Sequence, residues 1–480
     1  MVFSSATFLF YFLPAALALY FLTPPRFRNF SALVASLVFF AWGAPKFVFV
    51  LIATCFVDYH ASRWLPPGRL PDRKRKLLLG LVVAFDLAFL FYFKYANFFV
   101  AEVQGALGLF GVPPFAWTAV VLPIGISFFT FQKVSYLVDV YRGTAQVAGS
   151  AGRHLLYIAL FPQLIAGPIV RYHDVALQID RRSTTSGLFL DGLWRFAIGL
   201  AKKVFLANTF ARLADLVFNT PPSLMTTTQA WAGVLAYTFQ LYYDFAGYSD
   251  MAIGLGRMMG FRFLENFNFP YASAGIGEFW RRWHVSLGRF MMEYLYVPLG
   301  GNRKGHGRTV FNLWLVFLAS GFWHGAAWTF ILWGIWHGTL ISIEKTIGPE
   351  RMKRLPRPLA IAGTFLLVAL GWVLFRSGTI HRAGGFYLLL FNLLPDGAGL
   401  AAFPEIMADR ALWLAAAIGV PCAFAPALGL DRFLPRDAEN PDAVPLGIVA
   451  LRFAASVLIF AVVASEMCAS GFNPFIYFQF

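Results

Sequence analysis

The chain has 480 residues, of which 59% are hydrophobic and only 13% charged, with a formal net charge of +15. A soluble globular domain carries roughly a quarter charged residues, so composition argues for a membrane protein. The longest polar stretches, near residues 63–76, 180–186 and 431–445, are loop-sized and leave no extramembrane catalytic domain.

Residues 5–95 read as four apolar spans. The start, Met1-Val2-Phe3-Ser4-Ser5, lacks a basic leader, and the first apolar run continues past Ala16-Leu17-Ala18, which predicts a retained span. Arg26 and Arg28 follow the first span, and Arg63, Arg69, Arg73, Lys74, Arg75 and Lys76 follow the third. The positive-inside rule makes these loops cytoplasmic and the N-terminus extracytoplasmic. The excess positive charge is therefore a topology signal, with anionic headgroup contact as a second use, and does not point to nucleic acid. Asp86 interrupts the fourth run. Residues 118–142 carry Pro123 and Gly125, then Lys133 and Asp139, which predicts a helix facing protein or water. Residues 188–218 form a long helical pattern broken by Arg195, Lys202 and Lys203, which predicts a helix lying partly in the interface with its lysines snorkelling.

Residues 230–345 are the densest in unusual groups. Gln240, Asp244, Asp250, Glu265, Glu278, Arg281, Arg282, His284, Arg289, Glu293, His324 and His337 lie among aromatics, punctuated by Gly247, Pro270, Gly275, Pro298 and Gly300. Polar groups at membrane depth face a protein interior or a wet cavity, so short, broken or re-entrant helices are expected here. Arg303, Lys304 and Arg308 make a further basic loop, and Arg351, Lys353, Arg354 and Arg357 another. Ordinary spans return at 358–376, 384–394, 411–428 and 446–466. At about 20 residues per span, the chain holds roughly eleven to thirteen spans or half-spans. No internal repeat relates two halves, which argues against a secondary transporter.

Several chemistries lack their motifs. Cys55, Cys422 and Cys468 are scattered in apolar surroundings with no metal spacing. There is no local histidine pair for zinc, no Gly-x-Ser-x-Gly elbow and no Gly-rich loop followed by Lys-Ser/Thr. His60, His154, His173, His306 and His381 lie near span ends and read as solvated or interfacial. His324 is sharper: it sits midway along the apolar stretch 310–343, which is too long for one untilted span and fits a tight hairpin or a bent helix. A neutral imidazole at that depth suits a general base; a histidine that ties two helices together satisfies the same position. His337, thirteen residues on, falls on a different face at about 100° per residue if the helix is continuous.

The blocks Met1–Ser5, 161–169 (Phe-Pro-Gln-Leu-Ile-Ala-Gly-Pro-Ile), 242–250 (Tyr-Tyr-Asp-Phe-Ala-Gly-Tyr-Ser-Asp), 266–271 (Asn-Phe-Asn-Phe-Pro-Tyr), 280–287 (Trp-Arg-Arg-Trp-His-Val-Ser-Leu), 298–302 (Pro-Leu-Gly-Gly-Asn) and 321–328 (Gly-Phe-Trp-His-Gly-Ala-Ala-Trp) occur in one order along the chain. In this it resembles the membrane-bound O-acyltransferases, in particular their bacterial branch that O-acetylates alginate or D-alanylates teichoic acid. The resemblance implies an all-α, polytopic protein whose helices surround a central catalytic funnel, in one membrane domain over 1–480: scaffold spans in 1–117, a catalytic core in 118–345, scaffold spans in 346–480. It implies transfer of an acetyl or other short acyl group from a cytoplasmic thioester, acetyl-CoA or an acyl carrier, to a hydroxyl, in a bacterial inner membrane. No tightly bound cofactor and no metal are expected. The acceptor would be an exopolysaccharide such as alginate, reached directly or through an extracytoplasmic relay protein. His324 matches the family's essential histidine and His284 its usual second member.

On that footing His324 is expected to be the general base, with His284 polarising the thioester carbonyl or positioning the acceptor. Trp323 and Trp328 are candidate oxyanion donors. Arg281, Arg282, Arg303 and Lys304 would meet the donor's phosphates or an acidic carrier. Asp244, Gln240, Trp280 and Asn302 complete the candidate substrate contacts. The competing readings are a transporter of an acylated sugar or lipid and a scaffold subunit of a secretion complex, neither performing covalent chemistry.

Overall fold

A computed structural model describes residues 1–165, 167–352, 354–434 and 440–469. Ala166 and Lys353, named above, fall outside these residues, as do part of the polar stretch 431–445 and the side chain of Cys468. The described residues are helical and contain no strand. They divide into two compact units, Met1–Gly192 with Ala252–Leu264, and Leu193–Met251 with Glu265–Phe480.

The first unit opens with four helices where four apolar spans are expected: α1 (Thr7–Leu22), α2 (Arg28–Gly43), α3 (Phe47–Ser62) and α4 (Asp72–Gly108), of which α4 alone is long and apolar enough to cross a membrane by itself. At 37 residues, α4 is about 55 Å long, well beyond the bilayer core of about 30 Å. Phe8, Phe39 and Phe161 pack ring on ring in the core, with Phe8 and Phe39 5.9 Å apart. The next long helix, α5 (Ile126–Arg142), is buried almost all round. Lys133 and Asp139 face protein, as expected. The Lys133 ammonium lies 3.1 Å from Asp58 on α3 and contacts Asp86 on α4. Asp139 meets His173 Nδ1 at 2.9 Å. Two expectations change in this unit. Arg75 is buried and donates to the Leu65 and Tyr141 carbonyls, so one of the topology charges is an internal tie. His154 on α6 (Ala151–Ala159), read as solvated or interfacial, is fully buried against Tyr136 of α5.

In the second unit, residues 202–207 form a π-type turn between helices α7 (Ser186–Ala201) and α8 (Asn208–Phe218). The wider turn shifts the side-chain register, and both lysines point inward onto α9 (Thr227–Met258). Lys202 donates to Asp250 at 2.6 Å, and Lys203 pairs with Asp244 at 2.6 Å with both side chains 1% exposed. This corrects the snorkelling expectation: a carboxylate within reach satisfies a lysine better than a distant headgroup does. Arg195 joins the same set through Asp250 and Glu265. Gly199 and Gly247 allow the close crossing, since a Cβ on Gly199 would lie 2.5 Å from the Gly247 carbonyl oxygen.

Of the stretch 230–345 expected to be broken, Thr227–Met258 is one continuous helix (α9) despite Gly247, while residues 265–305 are in short pieces: α10 (Ile276–Arg282), α11 (Val285–Met291) and a π-type turn, Met292–Tyr296. The stretch 310–343 is a tight hairpin. Its arms are α12 (His306–His324) and α13 (Trp328–Ile347), joined by Gly325, Ala326 and Ala327. The arms touch backbone to backbone: a Cβ on Gly321 would lie 2.3 Å from the Phe330 carbonyl oxygen, and one on Gly334 2.5 Å from that of Phe317. Small residues at such crossings are how membrane helices approach closely. Gly321→Ala is expected to cost about 1–3 kcal/mol and to lower activity, because the hairpin must open one turn from His324. The unfolding midpoint and the transfer rate of the purified variant check this.

After the hairpin come α14 (Arg357–Ser377), α15 (Ile380–Leu390), α16 (Arg410–Ala423) and α17 (Leu446–Ala469). The expected span at 384–394 is not a conventional one, since its eleven-residue helix reaches only about 16 Å. Phe391 and Asn392 end it, with Asn392 in the left-handed region at φ 56°.

Candidate active site

His324 ends α12 at the tip of the hairpin and is 4% exposed. Its ring is walled by Trp323 at 4.8 Å, Trp333 at 5.0 Å and Phe375 at 5.1 Å between centroids. The break at Gly325 removes the continuous helix on which the separate placement of His337 depends. Trp333 lies 5.0 Å from His324 and 4.9 Å from His337, so one indole touches both imidazoles. His337 is fully buried, and a Cβ on Gly371 would come within 2.9 Å of its Nε2, so its ring is packed hard against α14.

His284 immediately precedes α11 and follows Trp283, which caps the end of α10. It is 1% exposed and adopts φ 45°, ψ 54°, a left-handed conformation that costs a non-glycine residue on the order of 1–3 kcal/mol. Local hydrogen bonds hold that turn. Val285 N–H donates to the Asn266 carbonyl at 2.9 Å and Asn268 N–H to that of Arg282 at 3.0 Å. The His284 Nδ1 lies 3.0 Å from Asn266 Oδ1, and Phe245 of α9 packs edge-on at 4.7 Å. The indole of Trp323 is near both histidines, 6.2 Å from His284 and 4.8 Å from His324 between ring centroids.

Of the other expected contacts, Trp280 joins this cluster: it packs on Trp333 at 5.5 Å and His337 at 4.9 Å. Gln240 and Asp244 are buried on α9, where the Asp244 carboxylate is held by Lys203. Arg282 is paired with Glu278 at 2.6 Å. Arg281, Asn302, Arg303 and Lys304 are exposed. Trp328 is 51% exposed at the start of α13, so the two indoles proposed as oxyanion donors have different environments, Trp323 buried and Trp328 at the surface. Among the described residues no group of three or more His, Cys, Asp or Glu is placed to hold a metal.

Asn266 and Ser286 lie inside the 266–271 and 280–287 blocks, which assign them no role of their own, and Glu344 lies outside every block. Asn266 is fully buried and receives Ser286 N–H and Oγ–H at 3.2 and 2.9 Å. Glu344 of α13 accepts from the Ile276 and Gly277 amides at the start of α10, at 2.5 and 3.2 Å. An uncharged amide or hydroxyl in an aromatic-rich stretch with no helical period gives no sequence signal beyond its being polar where neighbours are not.

Residues 148–354, which contain both histidine blocks, match the model of the membrane-bound O-acyltransferase (MBOAT) family. The chain is 43% identical to a probable alginate O-acetylase AlgI of Azotobacter vinelandii, over all of both chains. It is 36% identical to a peptidoglycan O-acetyltransferase of Helicobacter pylori, over 80% of this chain and 78% of that one. It is 29% identical to a teichoic acid D-alanyltransferase of Bacillus subtilis, over 54% of this chain and 70% of that one. The helical architecture, the buried histidine pair and full-length identity of this order agree: the chain belongs to the membrane-bound O-acyltransferase family and is a membrane-bound O-acyltransferase.

Proposed function

We propose that the chain moves an acetyl group from a cytoplasmic thioester, acetyl-CoA or an acyl carrier, to a hydroxyl presented from outside, for O-acetylation of an exopolysaccharide such as alginate. The acceptor hydroxyl belongs to an extracytoplasmic relay protein, a reading supported by polar stretches in the sequence that are no more than loop-sized. The N-terminus lies outside and the loops after α1 and α3 inside a bacterial inner membrane. The observation that carries this reading is the pair of buried imidazoles, His284 and His324, both beside the Trp323 indole.

In the step, the hydroxyl oxygen bonds to the thioester carbonyl carbon and the carbon–sulfur bond breaks. The hydroxyl proton ends on the thiol sulfur, so hydroxyl and thioester become ester and thiol. That requires a lone pair to receive the proton and a donor for the carbonyl oxygen or leaving sulfur. Two imidazoles supply both, and the Trp323 indole N–H is a further donor. The exposed Arg281, Arg303 and Lys304, with Asn302, suit contact with the phosphates of coenzyme A or with an acidic carrier surface.

The test uses purified protein in lipid nanodiscs with acetyl-CoA and a serine-type acceptor. Thioester consumption coupled to ester formation is expected. Polymer export without thioester turnover would favour the transporter reading. Complex assembly that survives loss of both histidines, with no turnover, would favour a scaffold.

A further inference from the structure

We propose that the groove between the end of α1 and the start of α7 binds one anionic glycerophospholipid, with its phosphate against Arg28 and the Thr185 and Ser186 hydroxyls and an acyl chain along Phe21, Phe189 and Leu190. The site belongs to the first unit and takes no part in the acyl transfer proposed above.

The groove has a volume of about 400 Å³ and is lined by Phe21, Thr184, Thr185, Ser186, Phe189 and Leu190. Clefts of roughly 300–1,000 Å³ are the usual size for small-ligand sites. Its lining is divided in chemistry. Phe21 and Phe189 stand edge to face, 5.7 Å apart between centroids. Three successive hydroxyls, Thr184, Thr185 and Ser186, lead into α7, and the next turn of that helix adds Phe189 and Leu190. Thr185 Oγ1 accepts the Leu188 N–H at 3.1 Å, and Thr184 Oγ1 accepts from Arg28 Nη1 at 2.9 Å. A hydroxyl that accepts one bond still has its O–H to give. The Arg28 guanidinium also lies over the Phe21 ring, at 5.6 Å, so the cation borders the groove on two lining residues. Phe21 and its neighbour Leu22 are exposed apolar side chains at the end of α1. A row of donors beside a phenylalanine wall is the complement of an amphiphile with a charged head.

The charge around the groove is one-sided. Residues 20–30, 181–190 and 252–264 carry Arg26, Arg28, Arg181, Arg182, Arg257 and Arg262 and no acidic residue. The flanking carboxylates are engaged elsewhere: Asp191 with Arg257 at 2.8 Å, and Asp180 with Arg153 at 2.7 Å. Arg28 and Arg182 are partly buried, and both lie over the Tyr20 ring, at 5.4 and 5.6 Å. Their hydrogen-bond partners are neutral: the Thr184 and Tyr20 hydroxyls, the Asn29 amide oxygen and the Gln178 and Met259 carbonyls. Arg28 Nε and Arg182 Nη2 are buried with no hydrogen-bond partner among the described residues. Two guanidiniums gathered on one ring with no carboxylate repel each other, and an anion beside them relieves that repulsion. A phosphodiester supplies the charge, and the guanidinium fork suits its oxygens. The acyl chain accounts for the aromatic wall, which a free anion would leave unused.

The test uses the full chain purified in detergent and titrated with phosphatidylglycerol, phosphatidylcholine or inorganic phosphate, with bound lipid counted by native mass spectrometry. One phosphatidylglycerol is expected to stay bound at concentrations where phosphatidylcholine is lost. Ser186→Asp places a negative charge in the groove at an exposed position in the first turn of a helix, where an acidic residue favours folding. It is expected to weaken phosphatidylglycerol binding about 5-fold, the worth of roughly one charge at an anionic surface. Arg69→Gln, at an exposed position after α3, changes the net charge by the same amount and is expected to leave that binding unchanged. Phe189→Ala is expected to weaken the lipid as well, through the lost wall. Equal retention of the two lipids would overturn the proposal, as would equal losses in Ser186→Asp and Arg69→Gln. Displacement of phosphatidylglycerol by an equal concentration of inorganic phosphate, with Phe189→Ala unaffected, would make the groove a free-anion site and overturn the lipid assignment.

Discussion

Replacing His324 by Gln or Ala is expected to reduce acyl transfer by about 10²–10⁴-fold, the usual worth of a positioned proton-transfer group, while the protein still inserts. Gln keeps most of the side-chain volume and a donor, so it isolates the chemistry. Ala also opens a space between Trp323, Trp333 and Phe375, and some loss of stability through that cavity is expected. The two variants are compared by acetyl-CoA consumption in nanodiscs and by O-acetyl content of exopolysaccharide in cells that carry them. The unfolding midpoint reports the packing cost separately. Normal polymer acetylation with His324→Ala would remove this residue from the mechanism, whichever side of the reaction it serves.

In residues 118–142 the sequence signal was charges in an apolar run, and the structure agrees with it. Lys133 and Asp139 face protein because lipid offers them nothing, and each finds a partner, Asp58 and Asp86 for the one and His173 for the other. The hairpin was legible for a similar reason: an apolar stretch too long for one span, with Gly321 and Gly334 where the arms touch. The lysines at 202 and 203 misled because a π-type turn is invisible in composition, and that turn decides whether adjacent lysines face headgroups or carboxylates. Asp244, a candidate substrate contact by its depth, already has Lys203 within 2.6 Å. Trp328 and Trp323 looked equivalent in sequence, yet one begins a helix at the surface and the other is buried beside both imidazoles. Asn266 opens one of the quoted blocks, but its contacts were beyond reach, because they are with residues 17 to 20 positions away through an irregular segment that has no period to read.

The largest effect on stability is expected from Lys133. Its side chain is 3% exposed, and the side chains of Asp58 and Asp86 that it serves are fully buried. The three side chains come from three helices, α5, α3 and α4, so the cluster fixes how those helices pack. Removing one partner of a buried ion pair costs about 3–5 kcal/mol because the remaining charge is stranded. Lys133→Met strands two carboxylates at once and is expected to reach or exceed that range, seen as a lowered unfolding midpoint and a lower yield of inserted protein. Asp58→Asn leaves one ammonium facing one carboxylate and is expected to cost much less. The triple change Lys133→Met, Asp58→Asn, Asp86→Asn removes every charge at similar volume. It is expected to recover most of the stability lost in Lys133→Met, since a buried ionic group is often replaceable by a neutral one. If the single Lys133 and Asp58 variants unfold at the same temperature, or the triple variant is worse than Lys133→Met, shape and hydrogen bonding rather than charge hold these helices together.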